Sequence, residues 1–336
     1  MSAPIALTMG EPAGIGGEIA LKAWQMRASR RLPAFFVIDD PARLSALAAS
    51  LNLDVRVREI AGPAEAAREF PDALPVLPQA LFRPARPGHP DPVNAPAVIA
   101  AIERGVALVQ SGQAAALVTN PVQKEALYAA GFEHPGHTEF LGSLARVKRP
   151  VMMLAGPELR VVPVTVHLAL ADALHALTTE AIVACGKVAA EALQRDFGIS
   201  RPRLAVAALN PHAGENETMG HEERTIIAPA VEALVRAGIA ANGPAPADTL
   251  FHAAARKRHD AVICMYHDQA LIPLKTLDFE HGVNVTLGLP FVRTSPDHGT
   301  ALDIAGKGVA SPESLMAAIA LAAQMAARRA AQPATV

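Results

Sequence analysis

Short runs of aliphatic and β-branched residues alternate along this chain with longer Ala- and Leu-rich stretches of helical period, and this alternation restricts the fold more than any other feature. Strand, helix and strand in succession pack as a right-handed parallel unit, so repeated alternation calls for an α/β protein with a largely parallel sheet. Strands are expected at 5–9, 34–38, 115–119, 151–154, 161–166, 204–209 and 261–265, and helices at 18–26, 97–110, 179–197, 222–237 and 312–328. The proline-rich stretch 71–96 breaks both periods and reads as an irregular surface excursion. At a working size of about 150 residues per domain, the chain should form about two domains.

Composition narrows the function classes. Hydrophobic residues make up 51 % and charged ones 18 %, enough apolar surface to offset chain entropy and exclude global disorder. A net charge of −2 and 4 % aromatics provide neither a broad cationic face nor a base-stacking surface, so no nucleic acid or acidic membrane is expected as a partner. Two cysteines cannot build a disulfide framework or a four-cysteine zinc site. The N-terminus has no basic region ahead of an apolar core, and the apolar stretch near 315–327 is too short to span a bilayer. A soluble, cytoplasmic protein is expected.

Three expected strands run into histidine: VVPVTVH at His167, LAVAALNPH at His212 and DAVICMYHD at His267. In an open parallel sheet, ligands bind beyond the carboxyl ends of the strands, so these imidazoles are expected to converge and could bind one divalent cation with coordination positions left open. Taken singly, each also suits a capped or hydrogen-bonded loop histidine. LTMGEPAGIGGEI places glycines between a strand and a helix, suited to an anion or to a tight turn, without the spacing of a dinucleotide fingerprint. Thr119, Asn120 and Lys124, with His137, Thr138 and Glu139, offer donors for a polar or phosphorylated substrate, although Thr138 could equally be a helix cap. Lys275, Asn284 and Arg293 supply cations and an amide for an anionic small molecule, or else form surface ion pairs. Asp248 and Asp268 could orient a ligand histidine or move a proton.

The segments MGEPAGIG, TNPVQK, GHTEFL, LNPHAGE, GPAPADTLF, YHDQALIPLK and NVTLGLPFVRTSPDHGTALDIAGKG together closely resemble the 4-hydroxythreonine-4-phosphate dehydrogenases of vitamin B6 synthesis, over residues 8–308. The closing DHGTALDIAGKG is also similar to a loop of isocitrate and isopropylmalate dehydrogenases. The resemblance implies an isocitrate/isopropylmalate dehydrogenase-like α/β fold of two domains with largely parallel sheets and a cleft between the lobes. A first lobe would take 1–128 and about 300–336, and a second about 129–299 with the metal site and dimer interface.

It further implies a homodimer with its active site at the subunit interface, NAD or NADP, and one zinc, magnesium or cobalt ion per site. His167, His212 and His267 match the metal ligands. His137, Thr138, Lys275, Asn284 and Arg293 match substrate-contacting positions, and Asp297, His298, Gly299 and Thr300 the nucleotide side. Lys275 or Asp248 would be the catalytic group that passes the proton. The implied reaction oxidises 4-phosphooxy-L-threonine at C3 to 2-amino-3-oxo-4-phosphooxybutanoate, followed by decarboxylation to 3-amino-2-oxopropyl phosphate. Related dehydrogenases for D-threonate or D-erythronate 4-phosphate, or for a dihydrodiol dicarboxylate, would use the same parts. A metal-dependent hydrolase or a non-catalytic binding protein leaves the DHGTALDIAGKG loop or the open metal site unexplained.

Overall fold

The computed structural model describes residues 3–134 and 136–331. The chain runs through β1 (Ile5–Thr8), α1 (Gly16–Gln25), β2 (Phe35–Asp39), α2 (Pro41–Ser50), β3 (Val57–Glu59), α3 (Pro63–Glu69), β4 (Leu74–Pro78), α4 (Ala95–Gln110) and β5 (Ala116–Thr119). It continues through α5 (Lys124–Ala129), α6 (His137–Leu144), β6 (Val151–Ala155), β7 (Arg160–Pro163), α7 (Leu170–Ala176), α8 (Thr179–Arg195), β8 (Arg203–Ala207), α9 (Ala228–Arg236) and β9 (Ala240–Ala245). Last come α10 (Ala253–Arg256), β10 (Ala261–Cys264), α11 (His267–Leu277), β11 (Val283–Leu287), β12 (Arg293–Pro296) and α12 (Glu313–Ala331).

Two compact units emerge, one formed by 1–150 with 289–327 and the other by 151–288 with 328–336. The expected lobes changed hands at 128 and 300; here the first unit keeps the chain to Pro150 and regains it at Leu289. Packing accounts for the difference, because Phe140 and Leu141 of α6, together with Leu289 and Phe291, are buried in the same core as Val98, Ile102 and Val106 of α4. His137, Thr138 and Arg293 therefore belong to the first unit.

In the first unit the strand order is β3-β4-β2-β1-β5-β12, and every pairing is parallel. Near-continuous aliphatic strands fit this arrangement: IALT and FFVID are buried throughout, as helices on both faces of a parallel sheet require. Asp40 caps α2 by accepting from the amides of Ala42 (2.9 Å) and Arg43 (3.0 Å), with Pro41 at the first helical position. Residues 92–110 are apolar and long enough to cross a bilayer by composition, but they form a 3-10 turn, Pro92–Asn94, and α4, whose buried residues Ala97, Val98, Ala101, Ile102 and Val106 pack into the core.

The expected excursion at 71–96 is corrected by β4, an internal strand lying between β3 and β2. Its prolines fall where they cost no ladder bond. The amide of Leu74 donates to Arg56 (2.8 Å) and that of Gln79 to Asp39 (2.9 Å), so even-numbered positions face β3 and odd-numbered ones face β2. The N–H that Pro75 lacks would point towards β2 before that pairing begins at Val76, and the one Pro78 lacks towards β3 after that pairing ends at Val76.

In the second unit the order is β11-β6-β7-β10-β8-β9. β6 is antiparallel to both neighbours, whereas β7, β10, β8 and β9 run parallel. The expected strand at 161–166 stops at Pro163, and Thr165 instead donates its hydroxyl to the Met265 carbonyl (2.8 Å). The expected helix at 222–237 opens with a π-helical turn, Glu223–Ile227, ahead of α9. Pro229, at the start of α9, has no amide to donate back into the preceding turn, so the regular ladder cannot run through this point.

Candidate active site

In the first unit the crossover from β1 leads to β2 on one side, whereas β5, reached from β4, lies on the other, so the strand order turns here and opens a crevice at the carboxyl ends of β1 and β5. Gly10 lines this turn at φ +68°, and a Cβ there would come within 2.6 Å of the Asn120 Cβ, so only glycine fits. The Asn120 amide group donates to the carbonyls of Thr8 (3.1 Å) and Gly16 (3.3 Å), holding the ends of β1 and β5 together. Its Oδ1, like Thr8 Oγ1, is buried without a hydrogen-bond partner. Glu11 is 5 % exposed. Burial raises the pKa of its carboxyl group against the opposing effects of the Ala13 amide and Arg43.

β12 places Arg293 against the end of β5. The guanidinium is 3 % exposed and donates to the Thr119 hydroxyl from Nε (3.2 Å) and Nη2 (2.6 Å). Desolvation pushes its pKa down to about 10, which leaves it cationic at neutral pH. His137 opens α6, and burial, reinforced by the field of Arg293, holds its imidazole well below the ordinary value. Nε2 of this neutral ring is buried without a partner. Thr138 follows in the first turn, where helix amides have no acceptor within their own helix. A buried cation, a neutral imidazole and a helix N-terminus together can receive a compact anion.

The turn after β12 carries Asp297, His298, Gly299 and Thr300. Ser314 Oγ accepts from the Asp297 amide (3.1 Å), and the Thr300 carbonyl accepts from the Ile15 amide (3.1 Å). The His298 ring lies with Nδ1 3.0 Å from the Gly299 carbonyl.

In the second unit the rings of His167 and His267 lie 5.9 Å apart, centroid to centroid. They share a cavity of about 290 Å³ with Thr165, Leu170, Tyr266 and Asp268. Asp268 Oδ1 is 2.7 Å from His267 Nδ1, which fixes the ring and leaves Nε2 outside that contact, the arrangement a carboxylate imposes on many metal-binding histidines. His167 has φ +53° and His212 φ +52°, left-handed conformations that a non-glycine residue holds only where its surroundings impose them.

The expected convergence of three imidazoles within one chain needs correction. Among the described residues no group of three His, Cys, Asp or Glu side chains lies close enough to hold a metal, so His212 does not complete the pair. It sits on the exposed turn Pro211–Gly214, past the end of β8, where consecutive left-handed residues carry the chain outward from the strand.

Sequence reasoning missed the residues that hold these strand ends. Gln269, 8 % exposed, accepts from the Met265 amide and donates to the Ala208 carbonyl, both at 2.7 Å, joining β10 to β8 beside His267. Glu223 accepts from the amides of Leu209 (2.9 Å) and Asn210 (2.7 Å), and with Glu222 it holds the Asn210 side chain, anchoring the His212 turn. The one signal in the sequence was the acidic pair closing NPHAGENETMGHEE. Asp248 is exposed on the turn Ala247–Thr249. Lys275 lies in the last turn of α11, its ammonium 5.5 Å from the centre of the Phe279 ring. Asn284, on β11, has its Oδ1 buried without a partner.

Residues 31–322 match the family described as "Pyridoxal phosphate biosynthetic protein PdxA". The chain belongs to the PdxA family. Among PdxA relatives, a 4-hydroxythreonine-4-phosphate dehydrogenase of Caulobacter vibrioides is 58 % identical, over 98 % of this chain and 99 % of that protein. The crystal structure of the Klebsiella pneumoniae 4-hydroxythreonine-4-phosphate dehydrogenase superposes with a TM-score of 0.88 at 41 % identity, covering 97 % of this chain and all of that one. More distant is a terephthalate 1,2-cis-dihydrodiol dehydrogenase from Burkholderia xenovorans, at a TM-score of 0.65 and 27 % identity over 96 % of this chain and 98 % of that one.

Proposed function

We propose that the chain is a 4-hydroxythreonine-4-phosphate dehydrogenase of pyridoxal phosphate biosynthesis, which oxidises the C3 hydroxyl of its substrate with NAD or NADP, after which the product loses CO₂. The observation that carries this reading is the anion cradle in the first unit. Arg293 is held on Thr119 and kept dry next to neutral His137 and the first turn of α6, in a chain whose relatives carry this name. Arg293 supplies the charge for the substrate phosphate, and Thr138 and His137, whose ring is neutral before the anion arrives, add hydrogen bonds. Asn284 offers an unsatisfied acceptor to a substrate amine or hydroxyl. Lys275 or Asp248 passes the proton. Asp297, His298, Gly299 and Thr300 face the nucleotide.

Support for a divalent cation lies in the donor set: His267 is oriented by Asp268 with Nε2 free of that contact, and His167 stands beside it in a strained backbone. A zinc, magnesium or cobalt ion held by His167, His212 and His267 would supply Lewis acidity at the substrate hydroxyl. Because His212 does not join the other two within one chain, the proposal includes a homodimer in which a second copy completes the ligand set. The enzyme is then a cytoplasmic homodimer acting on a small phosphorylated amino acid, without nucleic-acid or membrane partners.

The test is NADH formation with 4-phosphooxy-L-threonine beside D-erythronate 4-phosphate and a dihydrodiol dicarboxylate. Preference for the first, loss of activity after chelation, and recovery with added metal are expected. Turnover of a comparator in its place would reassign the substrate. His212→Ala should abolish turnover with the fold retained, whereas near-normal activity with unchanged metal content would remove the three-histidine site.

A further inference from the structure

The first half of helix α1 is buried on every face, with Ile19, Ala20 and Leu21 next to Glu18, which is only 1 % exposed. Burying a carboxylate among aliphatic side chains is unfavourable unless all its oxygens are engaged, and here they are. Glu18 pairs with Lys22 one turn later (2.8 Å), accepts from the amide of Ala310 (2.9 Å) and, at 3.4 Å, from that of Gly308. Lys22 donates to the carbonyls of the same two residues, Gly308 (2.9 Å) and Ala310 (2.7 Å). The ion pair therefore grips both polar groups of two backbone residues, much as a neighbouring strand would.

What it grips is the far end of the turn that begins at Asp297. The near end rests on the same helix entry, through the Ile15 amide on the Thr300 carbonyl, and Gly14 lies so close that a Cβ there would stand 2.9 Å from that oxygen. The segment between is thus fixed at both ends on α1 and the turn before it, although none of these anchoring groups belongs to the segment itself.

We propose that Glu18 and Lys22 are positioning residues for the dinucleotide: the pair holds the 297–310 segment in the conformation that Asp297 to Thr300 need to receive the nucleotide, and it sets nucleotide affinity without touching the nucleotide. This rests on the reading that these four residues face NAD or NADP.

The experiment uses the full-length protein as Lys22→Met, Lys22→Arg and Glu18→Gln variants. Calorimetric titration with NAD⁺ and NADP⁺ gives affinity, amide hydrogen exchange across 306–312 reports the grip itself, and steady-state kinetics separate the two KM values from kcat. Loosening the segment makes the nucleotide order it on binding. For Lys22→Met the nucleotide Kd and KM should therefore rise about tenfold, with kcat and the KM for the phosphorylated substrate changed by less than about twofold. Exchange at 306–312 should quicken in Lys22→Met, and Lys22→Arg, which retains the donors, should restore most of both effects. If Lys22→Met does not fold, the near-isosteric Glu18→Gln carries the same comparison. Faster exchange with an unchanged nucleotide Kd would overturn the proposal and leave the cofactor reading intact. Absence of NAD⁺ and NADP⁺ binding by the unaltered protein would overturn the cofactor reading itself, and the proposal with it.

Discussion

Replacing Gln269 by Leu removes two buried hydrogen bonds with little change in volume. Gln269 is 8 % exposed, and the groups it joins, the Met265 amide and the Ala208 carbonyl, belong to residues that are 1 % and 0 % exposed, so neither gains a water partner in its place. Each stranded polar group costs about 1–3 kcal/mol, and the added apolar contact of Leu offsets part of this, which leaves a net loss of about 2–4 kcal/mol. Urea unfolding followed by circular dichroism should show this as a lower midpoint with an unchanged slope. The His267 turn lies two residues away, so affinity at the proposed metal site should fall as well, because the strand end next to it is released.

Gln269→Glu separates the two bonds. A carboxylate can still accept from Met265 but is repelled by the Ala208 carbonyl, whereas a protonated carboxyl can donate to it. The folded-state pKa of the introduced carboxyl would lie above its unfolded value of about 4.3, so the stability regained is present at low pH and lost as pH rises through the folded pKa. A loss under about 0.5 kcal/mol in Gln269→Leu, or no pH dependence in Gln269→Glu, would refute the argument that these bonds are dry and hold β8 to β10.

His137 is kept neutral by burial and by Arg293, and an incoming phosphate would offset the field of Arg293 and favour the charged ring. Phosphate binding near pH 6 should therefore take up a proton, seen as a buffer-dependent heat in calorimetry that is absent in His137→Asn. By the same depression, the unfolded chain binds a proton that the folded one does not, so stability should fall as pH drops below about 6.5, and less so in that variant. Asp196 is buried, which acts to raise its pKa, but hydrogen bonds from Arg329 and Arg195 prevail and lower it. Its contribution should be present above about pH 4 and be lost as pH falls through the depressed value. Asp196→Asn should cost about 1–3 kcal/mol at neutral pH and flatten the acid limb of the unfolding curve.

The core strands were legible because a parallel sheet covered on both sides needs unbroken aliphatic runs, and β1, β2, β5, β8 and β10 have them. β3, β4, β9, β11 and β12 were not. β3 is short and partly exposed, β9 and β12 carry Gly or Pro in polar surroundings, and the two prolines of β4 are harmless only because of which neighbour each faces and where that pairing ends. Strand direction alone was enough to expect His167 and His267 near each other, and their rings lie 5.9 Å apart. The failure of His212 to join them depends on left-handed residues beyond β8 that no spacing reveals.

The sequence by itself determined the α/β class and membership of the PdxA family, because periodicity and motif are local and survive in one dimension. Only the tertiary structure decided which polar side chains hold the strand ends in place. Gln269 reaches Ala208, Arg293 reaches Thr119, and Glu18 with Lys22 reaches Gly308 and Ala310, each across a long stretch of chain. A hydrogen bond depends on distance and burial in space, and the order of residues along the chain fixes neither.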